Sequence, residues 1–178
     1  SLSTADHRPS PPRVEIPRDY NAAHDLIERN LVAGRAGKIA YIDDAGTCTY
    51  GELGERVNRC ANALTALGLL PEQRVLLCHL DTIDFPAAFL GAIKAGIVPI
   101  AANTLLTTHD YDYMLRDSRA RALIVSATLL PAFAPLLGRH PQLTQVIVSG
   151  ATDEAAAPHH SLARLMAAAF DADFIAIS

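Results

Sequence analysis

The chain has 178 residues, half of them apolar, which is enough to bury the core of one domain or slightly more. Its formal charge is −4 and its 15 Lys and Arg are spaced singly along the sequence, which excludes nucleic acid as a partner, because a phosphate backbone is held by clustered positive charge. The most apolar stretch is broken by Asp84, Pro86 and Lys94, so no membrane span is expected.

Residues 1–19 are rich in proline and are expected as an extended arm, with neither the apolar core of a secretory signal nor the arginine-rich pattern of a transit peptide. The folded part begins at residue 20. Asn21 is a good N-cap for a helix carrying Ala23, Leu26, Ile27 and Leu31 at helical spacing and stopping at Gly34. "KIAYID" (38–43) and "TCTY" (47–50) are short extended runs around the turn "DAG", the pattern of a hairpin. Thr49 and Glu52 have the spacing in which each side chain satisfies the other's backbone N–H at a helix start. That helix carries Leu53, Val57, Ala61, Leu64 and Leu67 on one face and closes at Gly68, with Arg56 and Arg59 elsewhere.

From Arg74 the chain keeps one rhythm: strand "RVLLCHL", helix 83–95 closing at Gly96, strand "IVPIA", helix 108–117, strand "ALIVS", helix 127–137, strand "QVIVS". The strands are continuous apolar runs, as expected where helices cover both faces of a sheet. The fold class is therefore α/β: a mostly parallel, doubly wound sheet with right-handed crossings, flanked by helices and preceded by the short hairpin. A further helix is expected at 161–169, and "DADFIAIS" reads as the entry into another strand. Cys48, Cys60 and Cys78 are odd in number and widely spaced, and two of them sit in apolar-periodic segments, which points to reduced thiols in a cytoplasmic protein.

Reactive chemistry is sparse. Neither glycine-rich phosphate motif occurs, and "GRAGK" at 34–38 follows a helix where a phosphate loop follows a strand. No Cys or His spacing suits a metal, and His159 and His160 read as a solvated loop pair. A Cys78–His79 nucleophile is opposed by the alternation of neighbouring side chains across a strand. Asp81, Asp84, Asp110 and Asp112 could supply paired carboxylates, but Asp84 and Asp110 stand at predicted helix starts, where capping accounts for them. Tyr111 and Met114 read as core packing. The residues alone assign no catalytic group and no metal ligand.

The run "TYGELGERVNRCANALTALGLLPEQRVLL" followed by "FLGAIKAGIVPIAANTLLT" resembles the opening of the acyl-adenylate-forming superfamily, which includes acyl-CoA ligases, luciferases and peptide-synthetase adenylation domains. The first superfamily motif looks like Thr49-Tyr50-Gly51-Glu52-Leu53, and the second like Ile93-Lys94-Ala95-Gly96-Ile97-Val98-Pro99. More narrowly, residues 20–150 resemble the bacterial benzoate-CoA ligases. The resemblance makes residues 20–178 the N-terminal portion of such an enzyme's large domain. It implies ATP, Mg2+ and CoA as reactants and cofactors of the whole enzyme, none held tightly by this segment, and benzoate or a similar aryl carboxylate as substrate. It also implies that stabilisation of the α-phosphate charge belongs to a Ser/Thr/Gly-rich loop ending in Lys, an acidic metal ligand, a ribose-binding aspartate and a mobile-domain lysine, none of which is found in these residues. Thr49, Tyr50, Glu52, Lys94, Gly96 and Pro99 are motif residues with structural roles, Pro99 requiring a bulge or a sheet edge. Asn103, Thr104 and Leu105 follow a strand's carboxyl end, where a contact with CoA is expected, although Leu105 stands where some relatives carry an arginine. The rival reading is a self-contained α/β module that uses the 103–110 edge for a small ligand or partner. A third possibility is self-association as a homo-oligomer through an exposed sheet edge.

Overall fold

The computed structural model describes residues 1–171, so the predicted strand in "DADFIAIS" lies, from Ala172 onward, outside the described residues. Within the proline-rich arm, β1 (Thr4–Asp6) and β2 (Arg13–Glu15) pair antiparallel. Helix α1 (Ala22–Val32) follows, its Asn21 side chain accepting from the His24 N–H, and Gly34 leaves it at φ +72. The hairpin pairs β3 (Ile39–Asp43) with β4 (Gly46–Thr49) and runs into α2 (Tyr50–Ala66) through the expected capping box: the Thr49 N–H donates to the Glu52 carboxylate at 2.8 Å, and the Glu52 N–H donates to Thr49 Oγ1 at 3.3 Å.

The αβ rhythm then builds β5 (Arg74–Cys78), α3 (Asp84–Lys94), β6 (Val98–Ala101), α4 (Thr108–Ser118), β7 (Ala122–Ser126), the short turn α5 (Leu130–Phe133), β8 (Gln145–Ser149), α6 (Asp153–Ala156), β9 (His160–Ser161) and α7 (Leu162–Ala168). The five strands form one parallel sheet in the order β6-β5-β7-β8-β9. Because side chains alternate across a strand, Val75 and Leu77 of β5 face α2, α3 and α7, while Leu76 and Cys78 face α4 and Phe133. That gives three layers, helix on sheet on helix. A third apolar cluster, around Ala23, Ile27, Cys48 and Val57, seats α1 and the hairpin on α2 and α3.

Three expectations change. The predicted helix 127–137 is instead a 3₁₀ turn (Ala127–Leu129), the single turn α5 and another 3₁₀ turn (Ala134–Leu136), because Pro131 and Pro135 cannot donate the N–H groups a continuous helix needs. On α1, Leu26 is exposed and Asp25 is buried, since the N-terminal arm covers that side: Ser3 donates to the Asp25 carboxylate through both its N–H and its hydroxyl. Between β8 and α7, α6 and the two-residue β9 occupy what reads in sequence as a loop, and His160, expected in solvent, binds Gln145 at 3.1 Å. Pro99 lies on β6, the sheet edge, as its missing N–H requires. Among the described residues no helix is long and apolar enough to cross a membrane.

Candidate functional site

In a parallel sheet the loops that leave two neighbouring strands in opposite directions part from each other and leave a crevice at the carboxyl ends. Here β5 is followed by β6 on one side, and the chain then returns to place β7 on the other, so the crevice falls between the ends of β5 and β7. It measures about 590 Å³. Its walls are Leu80–Asp84 after β5, Ser126–Thr128 after β7, Ser149 and Gly150 at the end of β8, the hairpin turn 42–45, and Arg56 of α2.

The Asp84 carboxylate organises this cleft. Oδ1 accepts from Arg56 Nη1 at 3.1 Å and Oδ2 accepts from Ser149 Oγ at 2.8 Å, which joins α2, α3 and β8 through one side chain. Asp84 is therefore not the helix cap its position suggests; it is the first residue of α3, and the preceding residue Ile83 makes no side-chain cap. The capping falls to Asp43 of the hairpin turn, whose Oδ2 accepts the Ile83 N–H at 2.8 Å while Oδ1 accepts from Ala45 and Gly46. The Ile83 N–H, with help from the turn amides, holds the Asp43 carboxyl below its usual range against the opposing effect of burial. Ser126 Oγ accepts the Leu80 N–H at 2.9 Å and fixes the loop after β5.

Of the four aspartates considered as paired carboxylates, the fold brings only Asp81 and Asp84 to the cleft. Asp110 completes a capping box with Thr107, and Asp112 accepts from His140 Nε2 at 2.9 Å. Cys78 and His79 do not form a dyad. The thiol lies on the α4 side with Sγ 3.4 Å from the Tyr111 hydroxyl, and burial raises its pKa. His79 donates from Nδ1 to the Leu80 carbonyl at 2.7 Å, and its buried Nε2 has no partner among the described residues. "GRAGK" serves as the turn closing α1: Gly34 and Arg35 donate to the α1 carbonyls of Leu31 and Asn30, Lys38 donates to the Arg35 carbonyl, and the Ala36 carbonyl receives the Gly51 N–H. Among the described residues no group of three or more His, Cys, Asp or Glu could hold a metal ion.

The motif residues sit in the framework. Thr49 and Glu52 form the cap, and the Tyr50 N–H donates to the Lys38 carbonyl at 3.0 Å. Lys94 is buried and donates from Nζ to Asn58 Oδ1. Gly96, at φ +71, turns the chain from α3 into β6, a left-handed conformation that strains other residues. At the 103–105 edge, Asn103 Oδ1 accepts the Leu105 N–H at 2.9 Å and the Asn103 carbonyl accepts from the Tyr111 hydroxyl, so its polar groups hold the loop. Leu105 itself is 89% exposed. Sequence reasoning missed Ser126, Ser149 and Arg56. The two serines had a signal, since each ends an apolar strand run at the sheet's carboxyl edge.

This αβ frame with its switch-point cleft is that of an adenylate-forming domain, and the family profile described as AMP-binding enzyme matches residues 28–172. The chain belongs to the AMP-binding enzyme family. It is 60% identical over 168 residues to the benzoate–CoA ligase of Thauera aromatica, covering 94% of this chain and 31% of that protein. It is 45% identical over 150 residues to the 4-hydroxybenzoate–CoA/benzoate–CoA ligase of Rhodopseudomonas palustris, covering 84% of this chain and 27% of that one. Among solved structures, a benzoate CoA ligase from Burkholderia xenovorans LB400 superposes with a TM-score of 0.71 at 45% identity, over 84% of this chain and 29% of that chain. The anthranilate CoA ligase AuaEII, in complex with anthranoyl-AMP, superposes with a TM-score of 0.85 at 32% identity, over 92% of this chain and 31% of that chain. The chain thus spans about a third of the length of the relatives it matches.

Proposed function

We propose that this chain is the N-terminal portion of an aryl-CoA ligase acting on benzoate, in which benzoate and ATP give benzoyl-AMP and diphosphate, and CoA then gives benzoyl-CoA and AMP. The observation that carries this reading is the 60% identity to the Thauera benzoate–CoA ligase over 94% of the chain. Mg2+ would accompany ATP in the whole enzyme, but the described residues offer no ligand set that fits it, and Asp84 is already engaged by Arg56 and Ser149. The work of this segment is to hold one sheet, its helices and the cleft at their carboxyl ends in a fixed geometry.

The 103–105 edge is proposed as a contact for CoA, made by the exposed Leu105 and the Asn103–Thr104 turn, whose Asn103 Oδ1 and carbonyl already hold the loop. With no cation in that triplet the contact would be one of shape. A cytoplasmic location is proposed because all three cysteines are free and buried. Self-association along the β6 edge is opposed by Pro99: the Val98 N–H donates inward to the Gln73 carbonyl just before β5 and the Ala102 N–H to the Leu77 carbonyl of β5, so Pro99 stands at an outward position and withholds a donor that an added strand would need.

The test is an assay of the whole protein with benzoate, Mg-ATP and CoA. Formation of benzoyl-CoA with AMP is expected, and none from the 178-residue polypeptide alone. Turnover of a long-chain fatty acid in preference to benzoate would overturn the substrate, and turnover by the 178 residues alone would overturn the assignment of the chemistry to other parts of the enzyme.

A further inference from the structure

Arginines that are scattered in sequence converge at the amino-terminal end of the sheet, opposite the cleft. A hollow of about 430 Å³ lies between the end of α4 and the loop leading to β8, lined by Arg116, Arg119, Arg139, His140 and Asp112. Its two walls are tied together. His140 donates from Nε2 to Asp112 on α4, and Gln142 donates from Nε2 to the Leu115 carbonyl at 3.2 Å, so the loop bearing Arg139 is held against the helix bearing Arg116. Asp112 already takes the His140 bond, and no ion pair occupies Arg116, Arg119 or Arg139 among the described residues. Three guanidiniums against the one Asp112 carboxylate leave the hollow two positive charges in excess, with the His140 imidazole counted as neutral.

Complementing the helix dipole accounts for Arg116, which sits in the last turn of α4 with its guanidinium 5.8 Å from the Tyr113 ring centroid. It accounts for neither of the others. Arg139 belongs to a different segment. Arg119 ends α4 in the left-handed conformation, φ 52 and ψ 37, a position where glycine or asparagine is the relaxed choice. An arginine held in strained backbone at the rim of a basic hollow is suited to ligand recognition, because the strain persists where a side chain is needed in that place. Guanidinium groups present paired N–H donors that match the oxygens of phosphate better than the point charge of lysine does.

We propose that this hollow binds a phosphate dianion, free or as a soluble phosphate monoester, whose charge of about −2 balances the excess. The proposal is independent of the reading of the whole enzyme's reaction. In the whole protein, inorganic phosphate and glycerol 3-phosphate, each at millimolar concentration, are expected to slow amide hydrogen exchange in peptides covering 112–120 and 138–143. Arg116→Gln and Arg139→Gln are each expected to weaken that protection about tenfold, as expected for loss of one charge-assisted contact. Arg119→Gly is the decisive variant: it relieves the backbone, so the thermal midpoint holds or rises while phosphate binding falls. A purely structural role would instead lower the midpoint and leave binding unchanged. Absence of protection with either ligand, protection that persists in all three variants, or binding seen only with phosphatidic acid vesicles would each overturn the proposal.

Discussion

Asp25 illustrates how one polar side chain can be retained in a core. Burial opposes its charged form, yet the hydrogen bonds from Ser3 and the Arg29 guanidinium at 2.6 Å outweigh burial and bring its carboxyl down to about 2. The folded value lies below the ordinary aspartate value of 3.8, so the carboxylate's contribution is complete above that value and is lost as the pH falls toward about 2. Asp25→Asn is expected to cost about 2 kcal/mol at neutral pH, since bonds to a charged group are given up. Urea unfolding of both proteins at successively lower pH checks this: the gap between them should close below about pH 4, and a gap independent of pH would contradict it. Tyr111 shows the apolar counterpart. Its ring stacks on Phe133 at 4.3 Å between centroids, and desolvation, with the Cys78 contact, pushes its hydroxyl up to about 12.

At the scale of elements, α2 and α3 approach each other closely at Gly91. A Cβ placed on Gly91 would lie 2.7 Å from Cys60 Cβ and 3.2 Å from the Ala61 nitrogen. Neither atom belongs to a flexible chain end, so the helices themselves must separate. Gly91→Ala is expected to destabilise by about 2 kcal/mol even though alanine favours a helix, because overpacking outweighs propensity here. Chemical denaturation measures it, and a stabilised variant would show that the helices can part freely. The start of α2 was legible in sequence because its capping box at Thr49 is complete within four residues; the structure adds a second box, Thr107 with Asp110, at the start of α4. Segment 127–137 reads as one helix because its apolar spacing is helical, while Pro131 and Pro135 break the hydrogen-bond ladder.

At the scale of the molecule, Asp84 is the joint between layers. It links an arginine of α2 and a serine at the end of β8 to the first residue of α3. Asp84→Ala is expected to cost about 2 kcal/mol, chiefly through Ser149, because the Arg56 pair is partly exposed and contributes less. In the whole enzyme the same change should loosen the cleft, seen as faster hydrogen exchange at 80–84 and 149–151. Unchanged exchange there would limit Asp84 to a local role.

The sequence by itself determined the α/β rhythm, the hairpin and the first capped helix after it, since each follows from contacts among near neighbours; for Pro99 the missing N–H left a bulge or a sheet edge open, and the strand order chose the edge. The motif resemblance likewise pointed to the family that the profile match then established. Only the tertiary structure decided that Leu26 faces out while Asp25 faces in, because the covering Ser3 lies 22 residues away. Tertiary structure also placed Arg56, Asp84 and Ser149 in one cleft and Arg116, Arg119 and Arg139 around one hollow. A parallel sheet returns the chain to the same end with every crossing, so residues tens of positions apart meet at that end, and no local pattern records which of them will share a site.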